Sequence, residues 1–500
     1  MKYCFILLTF GLFFAMAIFS KTGFCQSVDT IPPRHKVTLP EAHIGNLEID
    51  TKLLDSYLLL PNPARQFYLD ARSVFSTTGD ANFTHPKIVK AAQENQIMLM
   101  GGPMLGNLKE DEITIWLRPS TKIPLAVKVI KSIGSDEKSV VIHPVVPGME
   151  QRIKIEGLSP DSDYEYTVYA ENQTIAKGHF RTSPVPGEKS KFRLTFGSCF
   201  HKIGLHNPNL IHQILERKPQ AMMLLGDISV DDRENRIAMH LSDYLLRDMS
   251  LPWQKLAANV PLYTAWDDHD YLNNDLSGIP ARFTTSDQEA LRKVWQQNWN
   301  NPENKSEGIY FHTRTGPVEL IMLDTRSCRN VEQRGHYGSY LGTAQLKWLK
   351  EVLLTSTAPF KVISSGTMWS DYITEGKDSW GTWDTLAREE IFHLIETEKI
   401  SGVLLISGDR HGARGFTILR PSGFSLHEFE VASLGGVPGP EAMAKDPANQ
   451  LFGYHGSDII AFGEFTFDTS GNEPFVIFRL IGETGIILYE LGLPYRQLIP

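Results

Sequence analysis

The chain has 500 residues, of which 42% are hydrophobic and 21% charged. That is ordinary globular composition with enough length for a large core and more than one domain. A formal net charge of -9 leaves no basic footprint for nucleic acid or an anionic membrane surface, so a polyanionic partner is not indicated.

At the start, Lys2 precedes an apolar run from Tyr3 to Phe19 that gives way to polar and small residues. This is the layout of a secretory signal over residues 1–25, and it predicts an exported, periplasmic or secreted protein with no stable membrane anchor once the signal is cleaved. Phe24 before Cys25 is a poor setting for lipid attachment. Of the four cysteines, Cys4 and Cys25 lie in or beside that leader, which leaves Cys199 and Cys328. Two cysteines do not build a disulfide scaffold, and a single Cys199–Cys328 bridge competes with a chemical use for Cys199.

Residues 26–94 mix Pro32, Pro33, Pro40, Pro61 and Pro63 with short helical stretches and read as a peripheral lead-in of unassigned role. Over residues 95–183 the texture changes to short alternating runs such as EITIWLRPS, QRIKIEGL and DYEYTVYAE, each bounded by turn formers, which predicts an antiparallel β-sandwich. The segment from Gly157 to Tyr166 resembles the corner of fibronectin type III-like or Ig-like domains, where Tyr164 would pin a preceding turn. Trp116, Tyr166 and Tyr169 read as core or interdomain packing.

A Pro- and Gly-containing linker follows, and from residue 191 to 500 apolar runs alternate with helical patterns: FRLTFGS, AMMLLGD, PLYTAWDDHD, VELIMLDTR, FKVISSGT and GVLLISGDRH. Strands buried on both faces with helices between them imply an α/β sandwich, two sheets flanked by helices, whose ligands collect beyond the strands' carboxyl ends. Polar groups cluster at those ends: Cys199 and His201, Asp227, Asp267 to Asp270, and Asp409 with His411. A single Asp after a strand is more often a helix cap or turn former than a ligand. Several carboxylates gathered at successive strand ends repel one another unless they are protonated or neutralised by cations, and cations are the simpler account.

In their order, GSCF, LLGD, WDDHD, LDTR and SGDRH resemble the alkaline phosphatase D (PhoD-like) family of calcineurin-type metallophosphoesterases, over most of Leu194 to Glu490. The resemblance implies a phosphatase hydrolysing small-molecule or lipid phosphate esters through a water activated by two metal ions. It implies Cys199, Asp227 and His411 at a first metal, iron or else zinc or manganese, and Asp227, Asp268 and Asp409 at a second, calcium. A soft thiolate and imidazole suit a transition metal and an all-carboxylate neighbour suits a hard cation. His269 would act on the leaving group, Arg326 would serve catalysis and phosphate binding, and Arg410 and Trp369 would line the substrate pocket. One departure is Val230, where the family commonly has a ligating Tyr; Asp231 or Asp232 are candidates to compensate. Two other readings stay open: a phosphodiesterase acting on phospholipid, nucleotide or envelope polymer, and a non-catalytic exported binding protein with a degenerate metal site.

Overall fold

A computed structural model describes residues 30–134, 136–142, 145–303, 307–373 and 378–500. The leader expected over residues 1–25 lies outside the described residues. Among those described, no helix is long and apolar enough to cross a membrane.

Four helices open the chain: α1 (Leu39–Ile44), α2 (Leu47–Leu54), α3 (Asn62–Thr77) and α4 (Pro86–Glu94). Each begins with a local signal: a capping box between Thr38 and Glu41 on α1, the Asn46 side chain capping α2, and a proline in the first turn of α3 and α4. This segment is not the peripheral lead-in its sequence suggests. Ala42, Leu53, Phe67, Tyr68 and Ile88 are fully or almost fully buried and join the main hydrophobic core, with α3 laid along a helix of the large domain. Short stretches without a sustained period hide that burial, because each helix contributes only a few apolar residues to a surface built elsewhere.

Seven strands follow: β1 (Leu99–Gly106), β2 (Glu112–Pro119), β3 (Leu125–Lys131), β4 (Glu137–Ile142), β5 (Gln151–Glu156), β6 (Asp163–Ala170) and β7 (Gln173–Arg181). They pair antiparallel as β1-β2-β5 and β4-β3-β6-β7, and the inward residues of both sheets share one core of Ile113, Ile115, Val127, Val129, Tyr166 and Val168. The Tyr164 hydroxyl accepts from the Ser159 N–H at 2.7 Å, the turn-pinning contact its sequence setting predicts. Trp116 donates to the Gln297 carbonyl at 3.1 Å and Tyr166 to that of Ala258 at 2.9 Å, so both aromatics join this unit to the large domain.

The large domain holds two mixed sheets. The first is built from β8 (Lys191–Gly197), β9 (Ala221–Leu225) and β10 (Leu262–Ala265), which run parallel, and from β18 (Ala461–Asp468), β19 (Phe475–Gly482) and β20 (Ile487–Pro494), in the order β10-β9-β8-β18-β19-β20. The second comprises β11 (Phe311–Thr315), β12 (Val318–Met322), β13 (Phe360–Ser365), β14 (Val403–Ser407), β15 (Gly412–Leu419), β16 (Ser425–Ala432) and β17 (Gln450–His455), in the order β11-β12-β13-β14-β16-β15-β17. Strands β9, β12, β13 and β14 are buried at every position, as expected of strands covered on both faces. The sheets pack face to face through aromatic rings, Phe429 of the second lying 4.2 Å from Phe478 of the first between centroids. Outside them lie α5 (Pro208–Glu216), α6 (Ile237–Met249) and α7 (Leu251–Ala257) against the main core. The one-turn α8 (Asp268–Tyr271) and α9 (Thr285–Asn298) follow β10, while α10 (Gly342–Thr355) and α11 (Trp380–Thr397) cover the second sheet.

Candidate metal centre

The ends of β8, β9 and β10 from one sheet and of β14 from the other meet at one edge of the sandwich. The chain turns sharply there. Cys199, Asp227, Asp409 and His411 all have left-handed backbone, with φ of 60°, 56°, 70° and 34°. Non-glycine residues adopt this region rarely, and clusters of them mark functional sites. Gly226 (φ 102°) makes the close approach possible, since a Cβ there would lie 2.6 Å from the Asp267 amide nitrogen.

Donor atoms of Cys199, His201, Asp227 and His411 all lie within 4.8 Å of one another, as do those of Asp227, Asp268 and His269, and those of Asp267, Asp268 and Asp409. All five residues predicted as ligands are therefore brought together, with Asp227 common to the first two groups and Asp268 linking the second to the third. In the first group, His201 Nδ1 is held by Asp231 at 3.1 Å and His411 Nδ1 by the Pro438 carbonyl at 2.6 Å. With both Nδ1 protons so committed, the two Nε2 atoms turn their lone pairs to each other at 2.9 Å. Two facing lone pairs repel unless a cation lies between them. In the carboxylate groups, Asp227 Oδ1, Asp267 Oδ2 and Asp268 Oδ1 are buried and have no hydrogen-bond partner among the described residues.

The electrostatics agree. Burial, reinforced by neighbouring carboxylates, pushes the acids of Asp227 and Asp409 well above their usual range, and burial with the Asp227 charge raises the Cys199 thiol. Bare, these groups would hold protons; a bound cation removes that penalty and takes the anionic donors. The residues present thus fit metal ions of two characters, a mixed thiolate and imidazole set beside an oxygen set.

His269 has its Nδ1 on Asp232 at 2.7 Å. Burial opposes its charge, but Asp268, Asp227 and Asp232 outweigh burial and raise its imidazolium well above the ordinary histidine range. Asp270 accepts from the amides of Asp227 (2.5 Å) and Ile228 (3.2 Å) and so locks the β9 and β10 loops together.

Three expected site residues sit differently from one another. Arg326 is fully buried behind the carboxylates: it bonds Asp267, lies 3.1 Å from Asp378, and reaches Asp409 at 3.4 Å and Asp268 at 3.5 Å. Its fork is committed to protein carboxylates, so the expectation of a phosphate-holding catalytic arginine gives way to an internal counter-charge. Trp369 is likewise fully buried, 4.5 Å from Trp380 between ring centroids and bonded to the Ile406 carbonyl, so it packs the second sheet's cover instead of walling a pocket. Arg410 stays half-buried at the rim beside His411, with an Nε that has no partner among the described residues.

Sequence reasoning left out His201, Asp267 and His43 as site residues. The first was visible in Cys199-Phe200-His201, two donors two residues apart at a strand end, and Asp267 in the acidic run after β10. No local signal marks His43 on α1, whose ring lies 4.4 Å from that of His269. Asp231 and Asp232, considered as substitutes for the missing Tyr, instead hold His201 and His269 from behind. Cys199 and Cys328 are both free.

Residues 214–451 match the family described as PhoD-like phosphatase. A solved structure titled "Structure of PhoD" superposes with a TM-score of 0.61 at 18% identity, covering 79% of this chain and 88% of that one. A purple acid phosphatase, PPD1 from yellow lupin (Lupinus luteus) seeds, superposes with a TM-score of 0.58 at 15% identity, covering 79% of this chain and 75% of that one. At these identities the two structures speak for the fold. No curated protein matches the sequence. Strand-end donors, metallophosphoesterase architecture and the match of residues 214–451 to PhoD-like phosphatases converge on a hydrolase of phosphoric esters.

Proposed function

We propose that the protein is an exported phosphatase whose centre takes two metal ions, Cys199, His201, Asp227 and His411 holding the first and Asp227, Asp268 and Asp409 the second. The observation that carries this reading is the sharing of Asp227 between a thiolate-imidazole set and a carboxylate set in which Asp227 Oδ1 and Asp268 Oδ1 are buried without a hydrogen-bond partner among the described residues. His201 supplies the fourth donor at the first site, where Val230 cannot, and Asp231 behind it fixes the ring. Such a set suits iron, zinc or manganese, and the oxygen set suits calcium.

Metal ions bound there supply Lewis-acid polarisation of the phosphoryl group and acidify water. The chain's own residues do the rest. His269, held through Nδ1 by Asp232, turns Nε2 to the departing oxygen as its proton donor. Arg410 at the rim offers its fork to phosphate oxygens. Arg326 offsets the negative charge of Asp267, Asp268 and Asp409 from behind. The leader-like residues 1–25 support export, and the paired antiparallel sheets with the Tyr164 contact support a fibronectin type III-like module bracing the catalytic domain.

Elemental analysis of the purified protein with hydrolysis of p-nitrophenyl phosphate and bis-p-nitrophenyl phosphate tests the reading. Metal in the protein and turnover of the monoester are expected. Protein free of metal and inactive on both would return the binding-protein alternative, and preference for the diester would return the phosphodiesterase.

A further inference from the structure

We propose that the N-terminal helical segment is a working part of the active site, with His43 a substrate-contacting residue that discriminates between leaving groups. The inference rests on the reading of His269 as the donor to the departing oxygen. His43 stands beside that donor: the ring centroids are 4.4 Å apart at 31°, and 5.5 Å separates His43 from His201. Asp232, which holds His269 Nδ1 at 2.7 Å, lies 3.5 Å from His43 Nδ1, so one carboxylate faces both rings. On the far side, His43 Nε2 is 4.0 Å from Asp231 Oδ1 and has no hydrogen-bond partner among the described residues. Of the three histidines, His201 is fully buried and His269 nearly so, whereas the His43 side chain is 21% exposed. The ring that meets solvent is also the one that meets an entering ester.

The surroundings fix that position. A six-residue helix does not hold itself together in water. Here the Thr38–Glu41 capping box starts it and left-handed Gly45 (φ 51°) ends it. Two buried arginines then clamp the residues directly after His43: Arg72 donates to the Gly45 carbonyl at 2.9 Å, and Arg233 to those of Gly45 (3.3 Å) and Ile44 (3.4 Å). Both arginines are anchored by buried acids, Asp50 and Asp243, each at 2.7 Å. A side chain at Gly45 would strike the Arg233 guanidinium. The clamp sets where the His43 ring lies relative to His269, and it brings a residue of the N-terminal segment into a centre otherwise built from strand ends.

On this proposal the group bonded to the oxygen that His269 protonates lies against the partly exposed His43 ring. The imidazole of His43 offers a flat face suited to a planar leaving group more than to the phosphate itself. The test compares the intact protein with His43→Ala and His43→Asn on p-nitrophenyl phosphate and on glycerol 2-phosphate, with metal content and thermal midpoint measured alongside. Expected is an unchanged metal content and a fall of about ten-fold in kcat/KM for the aryl ester, carried by KM, with a much smaller change for the glycerol ester. Gly45→Ala, which displaces the ring without removing it, is expected to shift the same ratio. An unchanged ratio between the two substrates in all three variants would overturn the proposal, as would loss of bound metal on removing His43, which would make it a ligand. Inactivity of the intact protein on both esters would instead count against the phosphatase reading and against this inference with it.

Discussion

Asp232 accepts from His269 Nδ1 at 2.7 Å, and it does so from a loop that leaves a different strand. Unlike Asp227 and Asp268, it is not assigned to a metal ion, so its charge is the one left to favour the protonated His269 ring. A histidine whose basicity is raised stays charged at neutral pH and loses its proton only as pH climbs through the raised value. Asp232→Asn removes part of that support. The alkaline limb of kcat against pH is expected to move to lower pH, with kcat down by roughly ten- to a hundred-fold and metal content intact. A pH profile of the variant beside the intact enzyme checks both.

His201→Ala and Cys199→Ala are expected to lose the same metal, because their donor atoms belong to one group with Asp227 and His411. Each variant should bind fewer ions than the intact protein, while Asp409→Asn should lose the other. Elemental analysis of the three proteins reads this directly, and equal metal content in His201→Ala and the intact protein would remove His201 from the ligand set.

Much of this centre is legible in the sequence, and the reason is local. Asp227, Asp268, Asp409, His411 and Cys199 each come shortly after a strand that is wholly buried or buried over its last residues, and such a strand has only its end at which to expose a donor. The alternation of β5 and β6 announces one inward face in the same way. What escaped depends on partners far along the chain. Arg326 looks like a phosphate fork until Asp267 and Asp378 are seen around it, and Trp369 looks like a pocket wall until Trp380 is seen against it. The burial of the first four helices was equally hidden, since the surface that covers Phe67 and Tyr68 belongs to the large domain.

Removing Arg326 leaves several buried carboxylates without their internal counter-charge. Arg326→Leu is expected to cost about 3–5 kcal/mol of stability. Urea unfolding of the variant beside the intact protein measures the difference, and excess metal should restore part of it.

Acid should weaken the fold before it dissolves ordinary carboxylate pairs. Burial lowers His240 from 6.5 to about 4 and His427 from 6.5 to about 4. Unfolded, both rings take up protons below 6.5 that the folded protein refuses, so stability is present above that pH and falls as pH drops toward 4. Each contributes a slope of up to about 1.4 kcal/mol per pH unit in that window. His427→Gln, far from the metal donors in sequence and on β16, should flatten the decline of the thermal midpoint between those limits.

Cys199 and Asp227 leave strands of one sheet, whereas Asp409 and His411 leave a strand of the other. Neither half of the chain owns a complete set of the proposed donors, so a nascent polypeptide would have nothing with which to capture an ion. Loading must come after the two layers have closed, in whichever compartment that closure takes place. Ions bound at the proposed centre would then rivet the two layers together, and the composition of the medium at the moment of folding would decide which elements the enzyme carries.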